Sequence, residues 1–150
     1  MSTYRERLRV PIRWWFQWTL MVSSFWLAMI VAVPEPLAWT VSAMLLLVMA
    51  VLLRSYGAPV ITVTDDWLSA GRAKIERRHL GSVVALDAQA MRLQAGRDAE
   101  GRAHLLLRPY ISTGVRVGID DPGDPTPYWL ISSRHAASLA EALERGGPRT

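Results

Sequence analysis

The chain has 150 residues, a net charge of +4 and no cysteine. It holds one ordinary domain at most, and disulfides, thiolate metal sites and thiol nucleophiles are excluded. The surplus basicity sits in a short stretch before the first apolar run, not along a groove-lining stripe, which argues against nucleic acid as a partner.

Residues 1–13 read as a basic cytoplasmic leader carrying Arg5, Arg7, Arg9 and Arg13 against Glu6. Residues 14–33, "WWFQWTLMVSSFWLAMIVAV", contain no charge. At about 1.5 Å of rise per residue, a helix of this length covers the roughly 30 Å hydrocarbon core of a bilayer. The stretch is too long and too poor in small residues at its end for a cleavable signal peptide. A second uncharged run, residues 37–53, follows the turn "VPEP". The two spans form a tight antiparallel hairpin over residues 14–54, with Pro36 in the first turn of the second helix.

Arginines flank the hairpin at both ends, while its turn carries Glu35 and no Lys or Arg. The positive-inside rule then places both termini in the cytoplasm of a multi-pass protein of the cell membrane. Trp14, Trp15 and Trp18 mark one interface and Trp39 the other. Ser24, Ala28 and Ala32 on the first helix, with Ala38 and Ser42 on the second, are the expected contact stripes. No ionisable side chain lies inside either run, so the spans read as an anchor and not as a transport path.

Five residues, 55–59, lead into a cytoplasmic domain over residues 55–146, with a tail at 147–150. "VITVT" (60–64), "WLSA" (67–70), "AKIE" (73–76), "SVVALD" (82–87), "AHLLLRP" (103–109), "GVRVGID" (114–120) and "YWLIS" (128–132) read as short strands. "AQAMRLQAG" (88–96) reads as a short inserted helix, and residues 136–145 as an amphipathic helix ending at Gly-Gly. The fold class is thus a two-helix transmembrane hairpin followed by a small α+β domain. Its expected form is a pleckstrin-homology (PH)-like antiparallel β-barrel or sheet with a C-terminal helix at its open end. The run "ITVTDDWLSAGRAKIERRHLGSVVAL" resembles the opening of bacterial PH-like domains. "YRERLRVP" (4–11), "RPY" with "TGVRV" (108–117) and "DDPGDPTPYWLISSR" (120–134) resemble the actinobacterial membrane-protein family known as domain of unknown function 3093. That resemblance implies placement in a membrane and brings no activity.

Two stretches carry the candidate sites. Asp120, Asp121 and Asp124 lie among three prolines in the loop before the last strand. Clustered carboxylates suit a divalent cation or acid–base work in a metal-assisted hydrolase. Asp, Gly and Pro equally build a rigid hairpin tip, and that reading accounts for more of the residues. With Tyr128, Trp129 and Arg134 the loop is a candidate surface for a protein partner; Trp129 is expected in the core and Tyr128 outside, because neighbours on a strand face opposite ways. The second stretch is the basic run containing Arg72, Lys74, Arg77 and Arg78, which with Arg54 is a candidate site for anionic lipid headgroups.

His79, His104 and His135 lack metal-ligand spacing. Ser132 and Ser133 lack a nucleophile elbow and sit where helix caps do. No glycine-rich phosphate loop is present, and no metal or cofactor is expected. The expectation is a non-enzymatic, membrane-anchored module that binds a protein partner at the inner membrane face, with lipid headgroup recognition as its rival.

Overall fold

The computed structural model describes residues 2–57 and 59–145, so the Gly-Gly stop and the tail lie outside the described residues. The chain forms two compact units. One is continuous in sequence and contains the apolar hairpin. The other joins the first eight residues to everything from Pro59 onward.

The hairpin consists of α1 (Ile12–Ala32) and α2 (Glu35–Tyr56). Both are long and apolar enough to cross a membrane. Pro36 occupies the first turn of α2, and Glu35 at its start and Arg54 in its last turn complement the helix dipole. Ala38 and Ser42 are buried as expected, but Ser24, Ala28 and Ala32 are exposed. Val22 is the buried residue of α1 instead, and the Trp26 ring lies 5.0 Å from that of Trp39. A bulky face of one helix sits on a small-residue face of the other, which fills space better than two small faces. The outward surface is apolar: Phe16, Leu20, Met44, Leu47 and Val51 are all exposed.

The other unit holds two four-stranded sheets. The first runs in the order β1 (Ser2–Arg7), β2 (Val60–Thr64), β3 (Trp67–Ala70), β4 (Ala73–Glu76), antiparallel throughout. Residues 2–7 are therefore a strand of the folded domain, not part of a leader. Tyr4, Glu6 and Leu8 alternate with the exposed Arg5, Arg7 and Arg9, and this period of two places Leu8 fully inside. Arg7 stands opposite Val60, and the Leu8 N–H donates to the Pro59 carbonyl at 3.2 Å. The chain thus leaves this sheet after Leu8, makes the whole hairpin, and re-enters it at Pro59. At the β3–β4 turn Gly71 takes a φ of 65°, a conformation glycine adopts without cost.

The second sheet has the order β5 (Leu80–Leu86), β7 (Gly114–Ile119), β8 (Tyr128–Ser132), β6 (His104–Leu106). Strand β6 runs parallel to β8 while the other pairs are antiparallel. The two sheets do not close on each other, and the second is mixed, where an antiparallel barrel or sheet was expected. Strands β6 and β7 still run in opposite directions, and residues 107–113 carry the chain past β8, so that β6 lies on the far side of β8 from β7.

Between the sheets lies the main core: Ile61, Val63 and Leu68 from the first, Val115, Val117, Trp129 and Ile131 from the second. Helix α4 (Ala136–Glu144) contributes Leu139, Ala140 and Leu143 and packs on β5, β7 and β1. On the opposite face of the second sheet, α3 (Ala88–Ala95) brings Met91 onto Leu130 and Tyr128. Its N-terminus is capped by Asp87, whose Oδ1 accepts from the N–H groups of Gln89 and Ala90. Gly114 permits this approach: a Cβ there would lie 2.6 Å from Met91 Cε.

Candidate functional site

The loop of residues 120–127 joins β7 to β8 and is closed by the Ile119 N–H donating to the Pro127 carbonyl at 3.0 Å. Each of two carboxylates turns the chain locally. Asp121 Oδ1 accepts from the Gly123 N–H at 2.9 Å, and Asp124 Oδ1 accepts from the Thr126 N–H at 2.9 Å. The bonds from Thr126 hold the Asp124 carboxyl below the usual carboxylate range. Asp120 is tied by its backbone N–H to the His79 carbonyl at 2.8 Å, and His79 Nδ1 stands 3.9 Å from Asp121 Oδ2. Among the described residues no three His, Cys, Asp or Glu side chains gather around a common point. The chemistry of the loop is that of consecutive Asx turns.

Tyr128 and Trp129 are both buried, at 0% and 5% exposure. Trp129 lies in the main core as expected, but the expectation of an outward Tyr128 fails because α3 and the segment after it cover the second face of the sheet. The Tyr128 hydroxyl accepts from the Glu100 N–H at 3.1 Å and donates to the Asp98 carbonyl. It fastens that segment and offers nothing to a partner. Arg134 is exposed, its guanidinium 5.8 Å from the Tyr110 ring, and of the other candidate partner residues Asp120 is exposed while Asp121 and Asp124 are half-buried.

The basic run divides in the same way. Arg77 is 4% exposed. Its guanidinium donates from Nη1 to the Thr64 carbonyl at 2.9 Å, and from Nη2 to the carbonyls of Ala142 (2.8 Å) and Leu143 (2.6 Å). Arg77 is therefore the cation at the C-terminal end of α4, where the dipole and unpaired carbonyls call for one. Burial lowers its pKa from the ordinary arginine value, against the opposing pull of Asp65. It is unavailable to a lipid headgroup. Arg72, Lys74 and Arg78 are exposed; Lys74 Nζ lies 4.0 Å from the Trp67 ring centroid, and Arg78 pairs with Glu76. Arg54 is exposed in the last turn of α2.

Sequence reasoning missed Glu6. Its carboxylate is 8% exposed and accepts from the Ser133 hydroxyl, the Tyr4 hydroxyl (2.8 Å) and the Arg134 N–H (2.9 Å). His135, immediately before α4, lies 3.9 Å away. Helix α4 thus has an anion from β1 at its N-terminal end and Arg77 at its C-terminal end. Only the alternation around Glu6 hinted at this, and the charges on both sides obscured it.

Residues 3–143 match the model of the family described as Protein of unknown function (DUF3093). No curated protein and no solved structure matches the chain.

Proposed function

The chain belongs to the DUF3093 family, which brings no activity to carry over, and we propose that it is a non-enzymatic module fixed to the cytoplasmic face of the cell membrane, where it binds a protein partner. The observation that carries this reading is the pairing of β1 with β2 across the inserted hairpin. A domain whose own sheet is interrupted by α1 and α2 has two covalent tethers, one on each side of the hairpin. Both ends of the hairpin consequently lie on one side of the bilayer. The exposed apolar surface of α1 and α2 supports their insertion, since few such residues find cover within the hairpin. The arginines at its ends and their absence from the turn favour the cytoplasm for that side.

Two sheets around one core, with a final helix packed across β5, β7 and β1, support a PH-like reading of the domain. Such a scaffold offers loops and strand edges for recognition. The Asp120, Asp121 and Asp124 tip is stiff and acidic, and Arg134 lies in the segment that follows β8.

The test is photo-crosslinking in cells with the reactive group at Asp121 or at Arg134 of the full chain, and Val84 and Lys74 as separate positions. One discrete protein adduct at any of these surface positions supports the partner reading. Adducts to lipid alone, concentrated at Lys74, would replace it with headgroup recognition through Arg54, Arg72, Lys74 and Arg78. That second reading is favoured by one feature, the exposed Lys74 ammonium seated on an indole ring.

A further inference from the structure

Arg116 stands in the middle of β7, opposite Val84 of β5 and Leu130 of β8. It occupies the face of the sheet covered in part by α3. Its neighbours along this face are Gly114 and Gly118, which leave no side chains beside it. Met91 occupies the space over Gly114. At Gly118 a Cβ would meet Ser82 closely, its Oγ at 3.2 Å and its backbone N at 3.3 Å, so the Ser82 hydroxyl borders this end of the face.

The Arg116 guanidinium lies 4.4 Å from the ring centroid of the fully buried Tyr128. Its Nε is buried and has no hydrogen-bond partner, and none of the ion pairs among the described residues includes it. Tyr128 holds the fork in place but supplies no acceptor, its hydroxyl being engaged by Glu100 and Asp98. A half-buried cation without a counter-anion is costly, and a planar fork of N–H donors matches a carboxylate in geometry and charge. One guanidinium fits a monoanion; a phosphate dianion calls for further cations, and the adjoining segment carries Asp98 and Glu100 instead.

Strand β5 indicates what brings the carboxylate. It is the edge strand of the sheet, its residues 80–86 carry no charge, and Val84 is 46% exposed. Edge strands take an extended peptide through main-chain hydrogen bonds, with side chains setting the specificity. We propose that Arg116, with Ser82 on the neighbouring strand, binds the carboxylate of an acidic side chain from an extended peptide segment laid along β5. This rests on the protein-partner reading and names the chemistry of that partner.

The test uses the full chain in nanodiscs of neutral lipid and follows the Nε–H resonance of Arg116, titrated with the peptide acetyl-Val-Thr-Glu-Val-Thr-amide and with its Gln counterpart. The proposal predicts a saturable shift with the Glu peptide and affinity for the Gln peptide weaker by about tenfold or more. Ser82→Ala, at an exposed position, lowers the Glu affinity several-fold while leaving the fold intact, and Arg116→Gln, followed by the backbone N–H resonances of β5, abolishes the discrimination. Equal binding of the two peptides, no shift with either, or a shift produced only by nanodiscs of anionic lipid would overturn the proposal. Such a failure is distinct from failure of the partner reading, since a crosslinked protein at Asp121 or Arg134 would leave that reading standing.

Discussion

The carboxylate of Glu6 accepts from the backbone N–H of Arg134 at 2.9 Å, so a residue from the strand before the hairpin closes the N-terminal end of the last helix. The same carboxylate takes the Ser133 hydroxyl. A hydrogen bond to a charged group contributes about 1.5–3 kcal/mol, and of the donors left behind the Ser133 hydroxyl is fully buried. Glu6→Ala is expected to lower stability by on the order of 3 kcal/mol, and Glu6→Gln by less, because the amide retains one acceptor. Thermal unfolding of the detergent-solubilised chain measures both.

At the other end of α4, Arg77→Ala is expected to be similarly destabilising, on the order of 3 kcal/mol, through the loss of three hydrogen bonds to carbonyls. Lysine recovers only part, since an ammonium cannot reproduce the fork. Arg72→Ala and Lys74→Ala, at exposed positions, change stability by less than about 0.5 kcal/mol. Unfolding curves of the four variants separate the structural arginine from its exposed neighbours.

Much of this was legible in the sequence, and the misses have physical reasons. The β-branched run at 60–64, the Gly-containing turn that follows β3 and the amphipathic pattern of residues 136–145 are local signals, and each became an element. Strand β1 escaped because its charged residues resemble a membrane-flanking leader, and its partner β2 lies beyond the whole hairpin. A strand's direction leaves no local trace, which hid the parallel pairing of β6. Alternation places Tyr128 and Trp129 on opposite faces, but the cover supplied by α3 is a tertiary event. Arg77 is indistinguishable by type from Arg78 and differs only in meeting the end of α4. Among the candidate sites, the turn-forming role of the aspartates was readable, and Glu6 and Arg116 were not.

Tyr4 gives the domain an alkaline limit. Burial foremost, together with donation to the Glu6 carboxylate, pushes its hydroxyl up to about 12, against an opposing effect of Ser133. In the unfolded chain a tyrosine ionises near 10. The stability contributed by neutral Tyr4 is therefore complete below about 10 and is lost as pH rises from about 10 to about 12. Tyr4→Phe should flatten the pH dependence of unfolding across that window.

Gly114 predicts a packing effect. A methyl group there meets both Met91 and the Ile131 carbonyl oxygen, so Gly114→Ala must displace α3 or the strand. Such overpacking costs about 1–3 kcal/mol. Hydrogen exchange should rise first in residues 88–95 and at Glu100, whose N–H is held by Tyr128.

One folded domain is interrupted by the apolar hairpin and rejoined by β1–β2 pairing. Leu8 and Pro59 are already joined by a hydrogen bond of 3.2 Å from the Leu8 N–H to the Pro59 carbonyl, so a short loop can bridge them. Replacing residues 9–58 by Asn-Gly should give a water-soluble protein with cooperative unfolding, while the same protein lacking residues 1–8 should fail to fold or lose most of its stability. Insolubility of the Asn-Gly protein, or equal stability with and without residues 1–8, would contradict the account.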